Sequence, residues 1–418
     1  MFDVLFCLYA VVMIPFLFLS GKWHGGFRQR SGIFPEALRE RLSSARNIWV
    51  HAVSVGEVLA VEKVLRQLKE VYPSHQIVLT VTTRTGYALA SSKLEEVALV
   101  LWSPLDFSWT VRRFLSAISP CLYVAAETEI WPNLFLALHR AGVPVVIVNA
   151  RLSDRAYSRY CRVRGFLKGV LAGIDRVCAQ SETDADRFCS VGVPPESVRV
   201  VGNIKFDGAP DERKVLSFRG ALFSETHKIF LGGSLHPGED RILLDVFCAI
   251  RSGFPTLRLV LVPRHPHRAT AFSDSVRAHG LHPVLFSSGR NVAAQEDVLI
   301  VDTIGHLSSC YSRATVVFVG KSLVVGGGQN IIEPAALRKA VIVGPLMGNF
   351  RDVLALFLKD NAVIQVADAH GLQRAVLDLL SDQGRRESMG RRAFDVVQRN
   401  KGAAMRITEI IREVLPCP

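Results

Sequence analysis

Runs of apolar residues alternate along the chain with segments in which apolar residues recur every three or four positions. Between Ile48 and Asn203, six runs have the composition of strands: IWVHAV, QIVLTVT, VALVLW, CLYVAAE, VPVVIVNA and RVCAQ. A second series begins at Lys228 and adds five more: KIFLGGS, RLVLVPR, DVLIVD, TVVFVG and AVIVG. One intervening segment shows helical periodicity, with its face formed by Val58, Leu59, Val61, Leu65 and Leu68. Strands that alternate with helices predict parallel sheets and therefore an α/β fold in each half.

The two series predict two domains, because 418 residues exceed one ordinary core. The segment between them, FDGAPDERKVLSFRGALFSETH, is polar and contains Gly and Pro, which is typical of a linker. We predict two Rossmann-like domains that face a cleft. The predicted ranges are a membrane anchor over 1–20, an N-terminal domain over 21–207, a linker over 208–222 and a C-terminal domain over 223–418.

The N-terminal anchor is predicted from residues 4–20, a stretch of 17 residues without a charge. About 17 residues is the lower limit for a helix that spans a membrane. Asp3 precedes the run, and Lys22, Arg28 and Arg30 follow it, a charge order that favours an uncleaved anchor with a cytoplasmic body. Pro15 interrupts the run, so a short monotopic helix remains an alternative.

Charge and composition narrow the classes of partner. The formal net charge of +12 indicates an anionic partner, such as a nucleotide, a phosphorylated lipid, a membrane surface or a nucleic acid. No RNP-like motif or zinc-finger spacing is present, which argues against nucleic acid. The eight cysteines form no C-x-x-C pair, so we predict reduced thiols and no metal site. The D-x-D of Asp184 and Asp186 is better explained as a solvated helix start.

Polar residues follow three strands of the first series. Ser54-Val-Gly-Glu57 has the S-x-x-E pattern of a capping box, and the alternative is that Glu57 acts as a general base. Glu127 and Glu129 directly follow another strand, where alternation places both carboxylates on one side of an extended segment. Lys205 ends the first half and is either solvated or placed to stabilise a leaving phosphate.

The second series carries three further motifs. Gly232-Gly233-Ser234 precedes a helix start with Pro237 and Glu239, and small residues there would let a backbone approach a phosphate. Arg264 ends a buried strand in VPRHPHR and suits bidentate contact with phosphate or carboxylate. In VVGGGQNIIEPAAL, three glycines precede Asn330 and Glu333, a pattern that favours close approach to an anion near a helix start.

A basic stretch occupies residues 151–176, where seven Lys and Arg residues stand against Asp154 and Asp175. Tyr157, Tyr160 and Phe166 lie among the cations. A solvated helix face is the ordinary explanation, and contact with anionic lipid is the alternative that the predicted anchor favours.

Taken together and in this order, the motifs WVHAVSVGE, ETEIWPN, NARLS, GNIKFD, VPRHPHR and GGGQNIIEPA resemble those of the Kdo transferases. The resemblance extends from the N-terminal anchor to about residue 350. It implies a GT-B glycosyltransferase of the inner membrane, with its catalytic domains on the cytoplasmic side. Such an enzyme moves 3-deoxy-D-manno-octulosonic acid (Kdo) from CMP-Kdo to a phosphorylated lipid A precursor. The N-terminal domain would then bind the acceptor and the C-terminal domain the donor.

The resemblance also implies roles for individual residues. Glu57 matches the proton acceptor of the family, and Glu127 and Lys205 match its transition-state stabilisers. CMP is expected to contact nine residues, which are Pro263, Arg264, Ile304, Gly305, His306, Asn330, Ile331, Ile332 and Glu333. No cofactor or metal is implied, since CMP-Kdo is itself the activated donor.

The sequence departs from the family pattern at two positions. Gln329 stands where many relatives have histidine, and Lys321 where a second glycine is common. The chemistry of the motifs suits a single inverting displacement, in which a base on one side faces cationic groups on the other. Two alternatives remain, a GT-B transferase that uses a UDP-sugar with a lipid acceptor and a membrane-anchored nucleotide-binding scaffold without turnover.

Overall fold

The computed structural model describes Asp3 and residues 26–210, 226–289 and 297–416. The predicted anchor and most of the predicted linker therefore lie outside the described residues. Across these described ranges, no helix combines the length and the apolar character needed to cross a membrane. Contacts divide the chain into two compact units, which are Met1–Gly208 together with Lys401–Pro418, and Ala209–Asn400.

The first unit contains a parallel sheet of seven strands. In chain order they are β1 (Arg46–Ala52), β2 (His75–Val81), β3 (Leu99–Trp102), β4 (Pro120–Ala126), β5 (Val145–Ala150), β6 (Arg176–Ala179) and β7 (Val198–Val200). Their order across the sheet is β3-β2-β1-β4-β5-β6-β7. β1 pairs with β2 on one side and with β4 on the other, so the direction of winding reverses between β1 and β4.

Eight helices precede or connect these strands. They are α1 (Phe27–Arg30), α2 (Glu36–Ser43), α3 (Val55–Val71), α4 (Arg84–Lys93), α5 (Ser108–Ile118), α6 (Pro132–Arg140), α7 (Asp154–Leu171) and α8 (Glu182–Val191). The predicted apolar face of α3 is largely correct, since Val58, Val61, Leu65 and Leu68 are buried. Leu59 is 46% exposed, because it lies out of phase with the residues spaced by three and four.

The second unit contains another parallel sheet of seven strands. They are β8 (Lys228–Leu235), β9 (Leu257–Pro263), β10 (Pro283–Leu285), β11 (Val298–Ile300), β12 (Val316–Val319), β13 (Ala340–Val343) and β14 (Ile364–Gln365). Their order is β10-β11-β9-β8-β12-β13-β14, so the winding reverses between β8 and β12. The helices are α9 (Glu239–Ile250), α10 (Ala269–Ala278), α11 (Leu307–Arg313), α12 (Ile332–Ala336), α13 (Arg351–Lys359), α14 (Ala369–Ser381) and α15 (Gln383–Asn400).

The last helix, α16 (Ala403–Val414), packs with the first unit although it follows the second in sequence. Its apolar residues Ala404, Ile407 and Ile411 join the core around α3. The sequence-based division had placed all of 223–418 in the C-terminal domain. The structure differs because the apolar face of α16 completes a core whose other members lie before residue 205.

Three strands were not predicted, namely β7, β10 and β14. Each is two or three residues long and lies at an edge of its sheet. Such short strands show no alternation, and their conformation depends on pairing with the neighbouring strand. The eleven predicted strands are all present, and the α/β architecture with one parallel sheet in each half is confirmed.

Candidate active site

In the first unit, two loops leave the sheet where its winding reverses. His51 of β1 pairs with Ala125 of β4, so the chain after each strand emerges side by side at the carboxyl edge. In open parallel sheets, ligands bind outside this edge at the point of reversal. The loop after β1 leads to Glu57 and the loop after β4 contains Glu127 and Glu129. The fold therefore brings the predicted acids together.

Glu57 lies in the first turn of α3 and is 8% exposed. Its Oε2 accepts a hydrogen bond of 2.7 Å from the backbone N–H of Val53, and its Oε1 accepts one of 2.9 Å from the Ser54 hydroxyl. Ser54 is the N-cap residue, but its hydroxyl caps no backbone N–H of the helix. Of the predicted capping box only the half formed by Glu57 is present, since its carboxylate interacts with the backbone N–H groups of Val53 and Ser54.

The pKa of Glu57 is raised above its ordinary value, chiefly by burial and further by the carboxylate of Glu127, against the opposing Val53 hydrogen bond. Burial, together with Glu57 and Glu127, raises the pKa of Glu129 to about 7. The three carboxylates therefore interact, and we call Glu57, Glu127 and Glu129 the acidic cluster. Glu129 has no role of its own in the pattern that the sequence predicts.

The loop that carries Glu127 and Glu129 is held by bonds to neighbouring segments. The backbone N–H of Glu127 donates to the carbonyl of Val148 at 2.9 Å, with φ of +55° at Glu127. The Thr128 hydroxyl donates to the carbonyl of Arg151. Such a left-handed conformation is unfavourable for glutamate, and these bonds maintain it against that cost.

Two buried polar residues near this loop were missed by sequence reasoning. The carboxylate of Asp106 accepts hydrogen bonds from the backbone N–H groups of Asn133 and Leu134 and so caps α6. Burial raises the pKa of Asp106 to about 7. His51 is 2% exposed, and burial lowers its pKa to about 4, so it is neutral. Asp106 lies in none of the motifs found in the sequence. His51 lies within WVHAVSVGE, where a polar residue at the end of a buried strand is the signal that could have marked it.

Lys205 lies in the 3-10 helix Ile204–Gly208, which packs against α3 and α16. Phe206 is fully buried, and the carboxylate of Asp207 accepts hydrogen bonds from the N–H groups of Gly402 and Ala404 at 2.5 and 2.6 Å. The K-F-D motif therefore contains one core residue and one helix cap. These two contacts fix the backbone from which Lys205 projects.

In the second unit, Arg264 follows β9 and is exposed. Its backbone N–H donates to the carbonyl of Leu235 at 2.9 Å, which aligns it with the end of β8, and Pro263 ends β9 opposite the same residue. Burial raises the pKa of Glu333, whereas Asn330, Arg264 and Ser308 lower it. Arg264 and Glu333 are therefore electrostatic neighbours.

The predicted CMP segment Asn330–Glu333 begins α12. The Asn330 amide donates to Glu333 Oε1 at 3.0 Å, and its oxygen accepts from the N–H of Ile332 at 3.0 Å. Ile331 and Ile332 are 1% and 0% exposed, so their side chains belong to the core. Any contact of these two residues with a nucleotide must use the backbone.

The predicted segment Ile304–His306 precedes α11, which also carries Ser308. Ile304 is 85% exposed, Gly305 has φ of +96°, and the His306 ring lies 4.7 Å from that of Phe286. Ser308 and Arg264 both interact with the Glu333 carboxylate. The segment Ile304–His306, Arg264 and the start of α12 therefore lie together at one edge of the second sheet.

In the structure, the motif GGSLHPGE does not form the phosphate-binding turn that the sequence suggests. A Cβ atom at Gly233 would lie 2.3 Å from the Tyr311 hydroxyl, so this glycine makes room for the protein's own side chain. Glu239 is fully buried and accepts hydrogen bonds from four backbone N–H groups, those of His236, Lys321, Ser322 and Leu323. A carboxylate thus already occupies the N–H groups of the turn after β12.

The two departures from the family pattern, Lys321 and Gln329, both lie near His236. Lys321 has φ of +58°, a conformation that glycine adopts without strain. The Gln329 amide nitrogen lies 3.4 Å from Nε2 of His236. The carbonyl of Lys321 accepts a hydrogen bond of 2.8 Å from the N–H of Gly328, which joins the glycine loop to the turn after β12.

Three other features of the sequence can be compared with the structure: the D-x-D pair, the question of a metal site and the basic stretch. Asp184 accepts hydrogen bonds from the N–H of Leu152 and the Ser181 hydroxyl at 2.9 and 2.6 Å, so it is a helix-start residue as predicted, but at 6% exposure it is buried and not solvated. Among the described residues, no three His, Cys, Asp or Glu side chains are close enough to hold a metal ion. The basic stretch forms α7, whose cations Arg155, Arg159, Arg162, Arg164 and Lys168 are exposed.

Comparison with known proteins identifies one family and, among other relatives, two proteins that share the same description. A family described as 3-deoxy-D-manno-octulosonic-acid transferase (kdotransferase) matches residues 25–208. A 3-deoxy-D-manno-octulosonic acid transferase from Haemophilus influenzae is 34% identical over 374 residues, which cover 88% of this chain and 87% of that protein. A protein of the same description from Bordetella pertussis is 32% identical over 384 residues, covering 89% and 88% of the two chains.

Among solved structures, a glycosyltransferase from Rickettsia africae ESF-5 has a TM-score of 0.59 at 13% identity, covering 90% of this chain and 100% of its own. A UDP-GlcNAc 2-epimerase from Neisseria meningitidis also has a TM-score of 0.59, at 14% identity, with coverage of 88% and 99%. At such identities the likeness concerns the fold alone, and it confirms a two-domain α/β fold of GT-B type. The C-terminal CMP-Kdo binding domain of WaaA from Acinetobacter baumannii is 30% identical, covers 42% of this chain and 91% of its own, and has a TM-score of 0.40.

Proposed function

This chain belongs to the Kdo transferase family and is a glycosyltransferase, and from that premise we propose that its donor is CMP-Kdo and its acceptor a phosphorylated lipid A precursor. The donor proposal is supported by the motif resemblance and by the convergence of Arg264, Ser308 and Glu333 at one edge of the second sheet. The acceptor proposal is supported by the formal charge of +12, which suits a phosphorylated lipid.

Glu57 is the proposed general base, and its burial beside Glu127 is the observation that carries this role. A carboxylate with a raised pKa holds a proton more readily near neutral pH than an exposed one does. Oε1 and Oε2 are both hydrogen-bonded, which fixes the orientation of the carboxylate. The remaining lone pairs are available to an acceptor hydroxyl at the point where the winding of the sheet reverses.

The proposed reaction is one displacement. The acceptor hydroxyl gives its proton to Glu57, and its oxygen forms a bond to the anomeric carbon of Kdo. The bond from that carbon to the phosphate oxygen breaks, and CMP departs with the electron pair. One displacement inverts the configuration at the anomeric carbon. Lys205 and Arg264 are proposed to stabilise the negative charge that develops on CMP and in the transition state.

The nucleotide is proposed to bind at the second unit through three segments. Arg264 offers a guanidinium for the phosphate, and Glu333 offers a carboxylate to hydroxyl groups of the ribose. Pro263, Gly305 and His306 would contact CMP beside them, and Ile331 and Ile332 would contribute backbone groups only, because their side chains are buried.

The direct test is transfer in vitro by the full chain from CMP-Kdo to a tetra-acylated lipid A precursor. Each Kdo added raises the product mass by one residue, so mass spectrometry counts the additions. We expect product that depends on both substrates. Absence of product with CMP-Kdo, together with transfer from a UDP-sugar to the same acceptor, would instead support the alternative GT-B transferase.

A non-catalytic scaffold is distinguished by a different result. If the chain only binds nucleotide, full-length protein binds CMP-Kdo but yields no product with any lipid acceptor. In cells that depend on this chain, Glu57→Gln would then restore growth as well as the wild type does. Loss of growth with Glu57→Gln at normal protein levels excludes the scaffold.

The proposed location is the cytoplasmic leaflet of the inner membrane. Besides the sequence of residues 4–20, the surface of α7 supports it, because Val163 and Phe166 are 43% and 65% exposed among its five cations. Asp154, the acid of this helix, is paired with Arg187. Apolar side chains that project between cations suit the headgroup region of an anionic membrane.

A further inference from the structure

Five basic side chains in the second unit lie beside the segments proposed to bind CMP. We call His236, Arg264, His265, His267 and Lys321 the basic group. The His236 ring centre lies 6.1 Å from that of His265, which in turn stacks on His267 at 5.6 Å. Burial lowers the pKa of His236, the Glu239 carboxylate raises it, and Lys321, His265 and Arg264 lower it further, so all four are electrostatic neighbours of this ring.

The group lies where the winding of the second sheet reverses. β8 is central, pairing with β9 on one side and with β12 on the other. His236 directly follows β8, Arg264 follows β9, and Lys321 lies just after β12. This edge of the sheet, at the reversal, is where an open parallel sheet binds its ligand.

One carboxylate oxygen fixes the spacing between His236 and Lys321. Oε2 of Glu239 accepts the backbone N–H of His236 at 2.9 Å and that of Lys321 at 2.8 Å. Glu239 is fully buried, and its charge acts both on these backbone N–H groups and on the His236 ring, whose pKa it raises. Neither Arg264 nor Lys321 forms an ion pair with a described residue.

Arg264 and Lys321 carry two permanent positive charges, whereas the phosphate of a CMP-activated sugar carries one negative charge. A 2-ulosonic acid such as Kdo carries a second anion, a carboxylate attached to the anomeric carbon. We propose that His236 and Lys321 bind this carboxylate, while Arg264 contacts the phosphate beside it. The proposal rests on CMP-Kdo being the donor, and it assigns selection of a sugar acid over a neutral sugar to these two residues.

Two substitutions test the subsite through a comparison of ligands. CMP lacks the sugar carboxylate, whereas CMP-Kdo carries it. For His236→Ala we expect the affinity for CMP-Kdo to fall about tenfold, the usual effect of losing a hydrogen bond to a charged group. The affinity for CMP should stay within about twofold of the wild type. Lys321→Gly, which fits the positive φ, should weaken CMP-Kdo in the same selective way.

Matched variants separate this role from a structural one. His236→Gln keeps a hydrogen-bond donor and should recover part of the lost affinity. His282 is exposed and precedes β10, at the opposite edge of the sheet, so His282→Ala should change neither affinity. Thermal unfolding of each variant reports whether the fold is retained.

Each result decides between distinct conclusions. Equal weakening of CMP and CMP-Kdo by His236→Ala would place His236 on the nucleotide and overturn the proposal, as would unchanged affinity for both ligands. Wild-type protein that binds CMP-Kdo but transfers nothing would contradict the proposed reaction and leave the subsite supported by the affinities. Wild-type protein that does not bind CMP-Kdo would refute both.

Discussion

Glu57 holds the turn before α3 with one oxygen and the Ser54 hydroxyl with the other. Both bonds can be made by glutamine, since its carbonyl oxygen accepts from the Val53 N–H and its amide donates to the Ser54 oxygen. Glutamine cannot accept a proton at neutral pH. The structural and chemical roles of this residue can therefore be separated by a single substitution.

For Glu57→Gln we predict a melting temperature close to that of the wild type and a loss of transfer of at least about a hundredfold, within the usual range for a general base. Initial rates with CMP-Kdo and circular dichroism on the same preparation measure the two effects. Glu62→Gln, later on α3, serves as the control and should retain activity. Strong residual activity of Glu57→Gln would leave it with the structural role alone.

The protonation of Glu129 makes the stability of the protein depend on pH. The pKa of Glu129 in the folded protein is about 7, against an ordinary value of 4.5. Between these values the folded state holds a proton that the unfolded chain releases, so the free energy of unfolding falls as pH rises from about 4.5 to about 7. Above pH 7 the Glu129 carboxylate is charged beside Glu57 and Glu127, and the free energy of unfolding stays at its lowered value.

Glu129→Gln is predicted to make the protein more stable than the wild type at pH 8 and similar to it at pH 4.5. The measurement is the melting temperature at both values of pH. In this variant the free energy of unfolding should still decline somewhat as pH rises, because the pKa of Asp106 is also about 7. The exposed Glu182→Gln should not alter the slope, and an unchanged slope in Glu129→Gln would contradict the assigned burial.

At the scale of elements, parallel pairing explains how the site residues come together. The loops after β1 and β4 start from paired residues, and so do those after β8, β9 and β12. The sequence predicted these strand ends correctly, and with them the positions of Glu57, Glu127 and Arg264. It did not predict that Glu239 would occupy the N–H groups after β12, because that contact joins residues about eighty positions apart.

The surface of α7 makes a prediction about membranes. Replacing Arg155, Arg159 and Arg162 by glutamine removes three exposed charges without touching the buried face of Leu167 and Val170. Binding of the full chain to vesicles with anionic lipid should fall toward the level seen with zwitterionic vesicles, which should itself be unchanged. Added salt should weaken the wild type in the same way. Equal loss on both kinds of vesicle would argue against a role for charge.

At the scale of the whole molecule, the chain ends in the unit where it began. Asp207 receives the N–H groups of Gly402 and Ala404, and the Arg406 guanidinium donates to the carbonyl of Val201 at 2.9 and 2.7 Å. Two segments of the chain that are about two hundred residues apart thereby share one core. The K-F-D segment and α16 support each other.

Asp207→Ala is predicted to destabilise the first unit by about 1–2 kcal/mol, the usual cost of losing a helix cap. Hydrogen exchange should show faster opening of α16 and of the 3-10 helix with Lys205, with little change in α9 or α10 of the second unit. Asp207→Asn, which retains an oxygen acceptor, should lose less. Equal loss of protection in both units would show that the destabilisation does not come from the lost contact between Asp207 and α16.

The sequence by itself determined the α/β class, eleven of the fourteen strands and the residues that stand at their carboxyl ends. These follow from local apolar patterns and from the fixed geometry of parallel strands. Only the tertiary structure decided the rest. The three edge strands, the neutral His51, the raised pKa of Glu129 and the return of α16 depend on burial and on contacts between distant residues, and these contacts exist only once the chain is folded.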